Sequence, residues 1–155
     1  MKVTGWTVTS PGEPMRLETR EEAPGPGEVL VEVAGCGVCH TDLGYYYDGV
    51  PTRHEFPLTL GHEISGTVVE TGAAADDWAV RRVVVPAVIP CGECDACRAG
   101  RGSVCPTQIF PGNDVHGGFA SHVVVPADPL CWIPELQASN VDLPALSVLA
   151  DAVTT

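Results

Sequence analysis

Four cysteines within the stretch 91–105 constrain this chain more than any other feature. Two residues separate Cys91 from Cys94 and Cys94 from Cys97, and seven separate Cys97 from Cys105. Such spacing lets four thiolates converge on one tetrahedral ion at a Zn–S distance of roughly 2.3 Å. The alternative, a disulfide cluster, belongs to oxidising compartments. Met1 to Pro14 show neither a basic start with an apolar core nor a long apolar run, so neither an export signal nor a membrane span is expected. A cytoplasmic, reducing location follows as the expectation, and in it clustered cysteines favour metal. Four protein ligands close a zinc site to substrate, so this lobe is read as structural.

A chain of 155 residues, 45% of them hydrophobic, has the length of one domain with a real core. Twenty acidic against eight basic side chains give a formal net charge of -12, which argues against DNA or RNA as partners. The same charge sits awkwardly with a polyanionic substrate.

Taken in order, the chain alternates short β-type runs with turns. Lys2 to Thr9 and Met15 to Arg20 read as strands around Ser10-Pro11-Gly12. After Pro24-Gly25-Pro26-Gly27, the alternation of Val29, Val31 and Val33 with Leu30, Glu32 and Ala34 predicts a half-buried strand. It runs into Gly35-Cys36-Gly37-Val38-Cys39-His40-Thr41-Asp42, a cluster of chemistry-bearing groups at a strand end, followed by the tyrosines 45 to 47. Further strands are predicted over Ile64 to Thr71, where Gly66 marks a bulge or close backbone approach, over Val83 to Val88, and over Phe119 to Val125, ended by Pro126. Helical character enters only near the end, where Asn140 could cap a segment carrying Leu143, Leu146, Val148 and Leu149. The lobe thus reads as an insertion between two strands of a small barrel. Cys39 and His62 both have zinc-ligand chemistry, yet a lone cysteine and a lone histidine are more often ordinary core or surface residues, and spacing alone does not pair them.

Gly61-His62-Glu63-Ile64-Ser65-Gly66 with Gly72, and Gly37-Val38-Cys39-His40-Thr41-Asp42, resemble the paired signatures of zinc-dependent medium-chain alcohol dehydrogenases. The four-cysteine lobe is similar to that family's structural zinc site. Over the whole chain the resemblance implies the GroES-like catalytic domain: mainly β with short helices, a partly open barrel carrying the zinc lobe at about 90–106. It also implies two zinc ions per chain. Cys39, His62 and Asp151 would hold the catalytic one; Asp151 matches a subgroup in which an aspartate in Leu149-Ala150-Asp151-Ala152-Val153 replaces a cysteine. Three protein ligands leave a fourth position open, the catalytic pattern.

By the same resemblance, Thr41 takes the alcohol proton, Asp42 orients His62, Glu63 is a second outer carboxylate, and His40 stands where many members place an arginine near the cofactor pyrophosphate. The implied reaction is oxidation of a small-molecule alcohol by hydride transfer to NAD. Tyr45 stands where some members carry a relay histidine, leaving His54 as a substitute; Tyr45, Tyr46, Tyr47 and His116 are pocket-lining candidates. Cys36 and Cys131 are expected to pack as small hydrophobes. The stretches 83–92, 111–114 and 117–122 and the Asp151 segment resemble a narrower group, the 6-hydroxycyclohex-1-ene-1-carbonyl-CoA dehydrogenases of anaerobic aromatic degradation, implying an alicyclic acyl-CoA substrate.

The chain contains no Gly-x-Gly-x-x-Gly turn to cradle a dinucleotide. The expectation is a truncated catalytic domain whose Rossmann partner is missing, inactive alone and homo-oligomeric when full length. Two other readings compete: a non-enzymatic zinc module, which needs no open metal site, and an NADPH-dependent enoyl reductase, whose family usually lacks both zinc sites.

Overall fold

A computed structural model describes residues 1–132, 134 and 142–153. Eight strands occur among them: β1 (Lys2–Val8), β2 (Arg16–Glu21), β3 (Glu28–Gly37), β4 (Leu58–Thr59), β5 (Glu63–Thr71), β6 (Arg82–Val85), β7 (His122–Pro126) and β8 (Cys131–Trp132). Two short helices, α1 (His40–Tyr47) and α2 (Asp95–Arg98), and several 3₁₀ turns complete the inventory. The chain is mainly β with short helices, as expected.

One sheet has the order β2-β1-β4 and the other β7-β3-β5-β6-β8. Every pairing between these strands is antiparallel. The core follows from the β-branched residues: Val29, Val31, Ile64, Val68, Val83, Val85, Val123 and Val125 form one buried cluster in the larger sheet. Each such side chain contributes roughly 1.5–3 kcal/mol when fully buried. A smaller cluster joins Val8, Leu58 and Leu60 to Tyr45 of α1.

Gly66 has the role expected of it. A Cβ there would lie 2.6 Å from Val31 Cγ1, so β3 and β5 approach more closely than any side chain allows. The two register shifts leave one extra residue on each strand: Val69 of β5 between the Leu30–Glu70 and Val31–Val68 pairs, and Ala34 of β3 between the Val33–Gly66 and Gly35–Ser65 pairs.

Several expectations need correction. The start of β3 is not half-buried: Leu30 is as fully enclosed as Val29 and Val31, because β3 lies inside the sheet with both faces covered there. β6 stops at Val85, where Pro86 has no N–H for the ladder. β7 starts at His122, not Phe119; the Phe119 amide and carbonyl bond instead to Leu60 and Trp6 across the sheets. The late segment is a 3₁₀ helix, Pro144–Ala150, with Ser147 and Ala150 buried while Val148 and Leu149 are exposed. The predicted cap, Asn140, lies outside the described residues. Cys131 is exposed on the edge strand β8, whereas Cys36 packs against the core as expected.

Candidate metal-binding active site

The four-cysteine lobe sits between β6 and β7, with α2 inside it. Cys94 caps α2, its sulfur accepting the Cys97 N–H at 3.5 Å. A tetrahedron with Zn–S of roughly 2.3 Å requires sulfurs about 3.8 Å apart. The separations are 3.9 Å for Cys91–Cys97, 3.7 Å for Cys94–Cys105 and 3.5 Å for Cys91–Cys105. All four sulfurs lie within 4.8 Å of one another, and none is in a disulfide. The donor set fits a closed metal site.

A second cluster, Cys39, His62 and Asp151, is assembled from three separate parts of the chain. β3 delivers the first. It ends at Gly37, and Cys39 then turns the backbone into α1 with its own N–H donating to Asp42 Oδ2 at 3.0 Å. Such a reciprocal cap three residues into a helix satisfies an amide that would otherwise lack a partner. Sequence patterning missed α1, because Gly44 and the tyrosine run are poor helix formers; the carboxylate three residues after Cys39 was the available signal.

β5 delivers the second ligand. His62, fully buried just before that strand, has both ring nitrogens enclosed and without a hydrogen-bond partner. Leaving two polar atoms so placed costs on the order of 1–3 kcal/mol each, which a metal on one of them would remove. The Asp42 carboxylate lies on the other side of the ring, Oδ1 being 3.5 Å from His62 Nδ1, and is held there by the Gly61 N–H at 3.0 Å. Burial lowers the proton affinity of the imidazole, but the adjacent Asp42 and Cys39 outweigh it and raise His62 to about 9.

The C-terminal segment delivers the third. Asp151, at the end of the 3₁₀ helix, has Oδ2 3.4 Å from His62 Nε2 and 3.6 Å from Cys39 Sγ. Tetrahedral coordination at ordinary zinc distances requires edges of about 3.4 Å for N–O and about 3.6 Å for S–O. One sulfur, one nitrogen and one oxygen thus fit three corners of a tetrahedron.

Around this triad, Thr41 is exposed at the rim with Oγ1 3.8 Å from Cys39 Sγ. Glu63 is buried, its carboxylate lying where any side chain at Gly37 would collide with it. His40 is exposed on the first turn of α1. The ring of Phe110 packs at 4.7 Å against His62, a neighbour that nothing in the sequence distinguished from an ordinary core residue.

Other pocket candidates separate. Tyr45 packs in the smaller core, so it is not free to line a pocket. Tyr46 and Tyr47 line a groove of about 610 Å³ with Trp6, Leu17, Leu43 and Phe119, which none of the triad residues lines. The rings of His116 and His54 lie 5.2 Å apart, tilted by 46°, with the His54 backbone bonded to Asn113.

Residues 25–135 match the alcohol dehydrogenase GroES-like domain, and the chain belongs to that family. It is 39% identical over 132 residues to an alcohol dehydrogenase of Geobacillus stearothermophilus, and 42% identical over 115 residues to an L-threonine 3-dehydrogenase of Xanthomonas euvesicatoria pv. vesicatoria. These alignments take in 83% and 72% of this chain but only 38% and 34% of those proteins. The acetophenone reductase of Geotrichum candidum, solved in complex with NAD, shares the fold with a TM-score of 0.85 at 29% identity, over 99% of this chain and 45% of its own. No described helix is long and apolar enough to cross a membrane.

Proposed function

We propose that this domain is the catalytic half of a zinc-dependent dehydrogenase that oxidises a secondary alcohol to a ketone, with NAD, held by a separate nucleotide-binding domain, accepting the hydride. The carrying observation is the triad: three donors at three corners of a tetrahedron, with the exposed Thr41 hydroxyl beside the set. A zinc ion there supplies Lewis acidity towards an alcohol oxygen. Cys39 as thiolate and Asp151 as carboxylate balance a divalent charge, and His62 binds through Nε2 while Asp42 faces Nδ1 and fixes the ring. Thr41 accepts the alcohol proton and passes it to solvent, which it meets directly. In balance, alcohol and NAD⁺ give ketone, NADH and one proton. His40 contributes to holding the cofactor pyrophosphate, and Glu63 supports the site from beneath. The lobe holds a second, structural zinc.

Within this class we place the substrate among alicyclic acyl-CoA alcohols, with 6-hydroxycyclohex-1-ene-1-carbonyl-CoA as the lead compound and the oligomer formed by identical chains. The sequence likeness at 83–92, 111–114 and 117–122 supports that choice; the net charge of -12 argues mildly against docking the CoA phosphates on this domain, so the basic surface for them is expected elsewhere in the protein. Native mass spectrometry tests the site: two zinc ions per chain are expected, falling to one in Cys39→Ser. One ion in both sinks the catalytic reading. NADH formation by the protein carrying this domain, with the acyl-CoA alcohol set against simple secondary alcohols, tests the substrate.

A further inference from the structure

The triad draws its third member from a segment that shares no strand with the other two. Between Asp142 and Asp151 the chain lies as a strap across β3 and β5, and hydrogen bonds from Ser65 and Ala87 fasten it. At its start the Ser65 hydroxyl, on a fully buried residue of β5, donates to the Leu143 carbonyl at 2.7 Å. At its end the Ala87 N–H donates to the Ala150 carbonyl at 3.3 Å, next to Asp151 itself. Beneath the strap is Gly35, where a Cβ would meet the Pro144 oxygen at 2.5 Å and its Cα at 2.7 Å. No residue with a side chain fits under it without lifting its first turn.

Ser65 is three residues beyond His62, in the strand that His62 enters. Its side chain therefore ties the strap carrying Asp151 to the same piece of backbone that fixes the imidazole. A 3₁₀ helix has poor hydrogen-bond geometry and weak intrinsic persistence, so such a strap needs external fastening to hold a carboxylate to a few tenths of an ångström.

We propose that Ser65 and Gly35 are positioning residues for the metal: a buried hydroxyl latch and a side-chain-free seat that hold Asp151 at the third corner of the site. This rests on the reading of Cys39, His62 and Asp151 as a metal site. Without the latch, the Leu143 carbonyl loses its partner, the strap moves, and the site keeps only Cys39 and His62 at full strength.

The test uses the 155-residue chain loaded with Zn²⁺ or Co²⁺, in wild type, Ser65→Ala, Ser65→Thr, Gly35→Ala and Asp151→Asn. Wild type is expected to bind two ions. Ser65→Ala should keep the lobe ion, which reports a folded chain, and bind the second about 10-fold more weakly, as for loss of an outer partner of a ligand. Its cobalt absorption bands should move towards those of Asp151→Asn, a signature that mere loss of global stability does not produce. Ser65→Thr, which restores the hydroxyl, should recover the wild-type spectrum, and Gly35→Ala should behave like Ser65→Ala. Two ions with unchanged affinity and spectrum in both Ser65→Ala and Gly35→Ala overturn the latch while the metal site stands. A single ion in wild type overturns the site and the latch together.

Discussion

The two candidate metal sites solve the same geometric problem in opposite ways. In the lobe every donor comes from one local stretch, a helix of four residues sits among them, and three of the four cysteines are at least partly exposed. In the triad the donors come from the end of β3, the start of β5 and the strap, at positions 39, 62 and 151, around a histidine with no solvent exposure. The first contributes a single buried cysteine to the interior, so its shape is expected to depend on an ion. In the second, β3 and β5 position Cys39 and His62, and the strap packed on those strands positions Asp151. A local site depends on its ion for shape, whereas a site assembled by the fold depends on the fold.

The contrast is broken most easily by removing one ligand from each. Cys97→Ser should lose the lobe ion and, with it, on the order of several kcal/mol, lowering the thermal midpoint by roughly 10 °C. Cys39→Ser should lose the other ion yet shift the midpoint by only about 3 °C or less, because β3, β5 and their valine core remain. Calorimetry of the two variants, with metal content measured on the same samples, decides it. Equal shifts would mean that both ions are structural.

The same contrast explains what the sequence could disclose. The lobe was legible because proximity in sequence is proximity in space when only a few residues intervene. Strand β3 was legible from valine alternation, although where it is covered on both faces alternation no longer reports burial, and other strands were legible as β-branched or apolar runs between glycine and proline turns. Cys39 and His62 carried no local sign of meeting; a family resemblance, not their spacing, paired them. Asp151 was identified by the same route. Helix α1 escaped through poor local propensity, and tertiary packing hid the rest: the ring of Phe110 against His62, the loss of Tyr45 to the core, and the Ser65 latch on the strap.

Protons sharpen the difference next. A zinc ligand must be deprotonated, and the metal-free fold holds His62 raised to about 9. In the metal-free chain that raised value favours the fold below about pH 6.5, and the contribution is lost as pH rises through about 9. Metal binding has the opposite dependence. Below pH 9 an ion entering the triad must expel the His62 proton, so apparent affinity should fall about tenfold per pH unit from this group alone. Competitive zinc titrations at pH 6, 7 and 8 measure the slope. A flat profile over that range would show that the imidazole is already neutral and that Asp42 does not act on it as described.

Acid weakens the fold itself at a place unconnected with either metal, and that smaller effect must be separated from the loss of zinc affinity. The Thr59 N–H donates to His116 Nδ1 at 3.2 Å, a bond possible only while that nitrogen carries no proton. Burial first, then the charges of Arg20 and His54, lower His116 to about 4, with Glu22 opposing them. The unfolded chain binds a proton near pH 6.5 that the fold refuses until about pH 4. His116 therefore gives its full contribution above about pH 6.5, and that contribution is lost as pH falls towards 4. Partial exposure discounts the loss to on the order of 1 kcal/mol. In His116→Asn, whose Oδ1 can accept the same Thr59 N–H, the metal-free chain should lose this slope and resist acid better by a few degrees at pH 5, while its zinc affinity at pH 6 to 8 should match wild type. A variant that altered zinc affinity as well would tie His116 to the triad, and the two proton effects would be one.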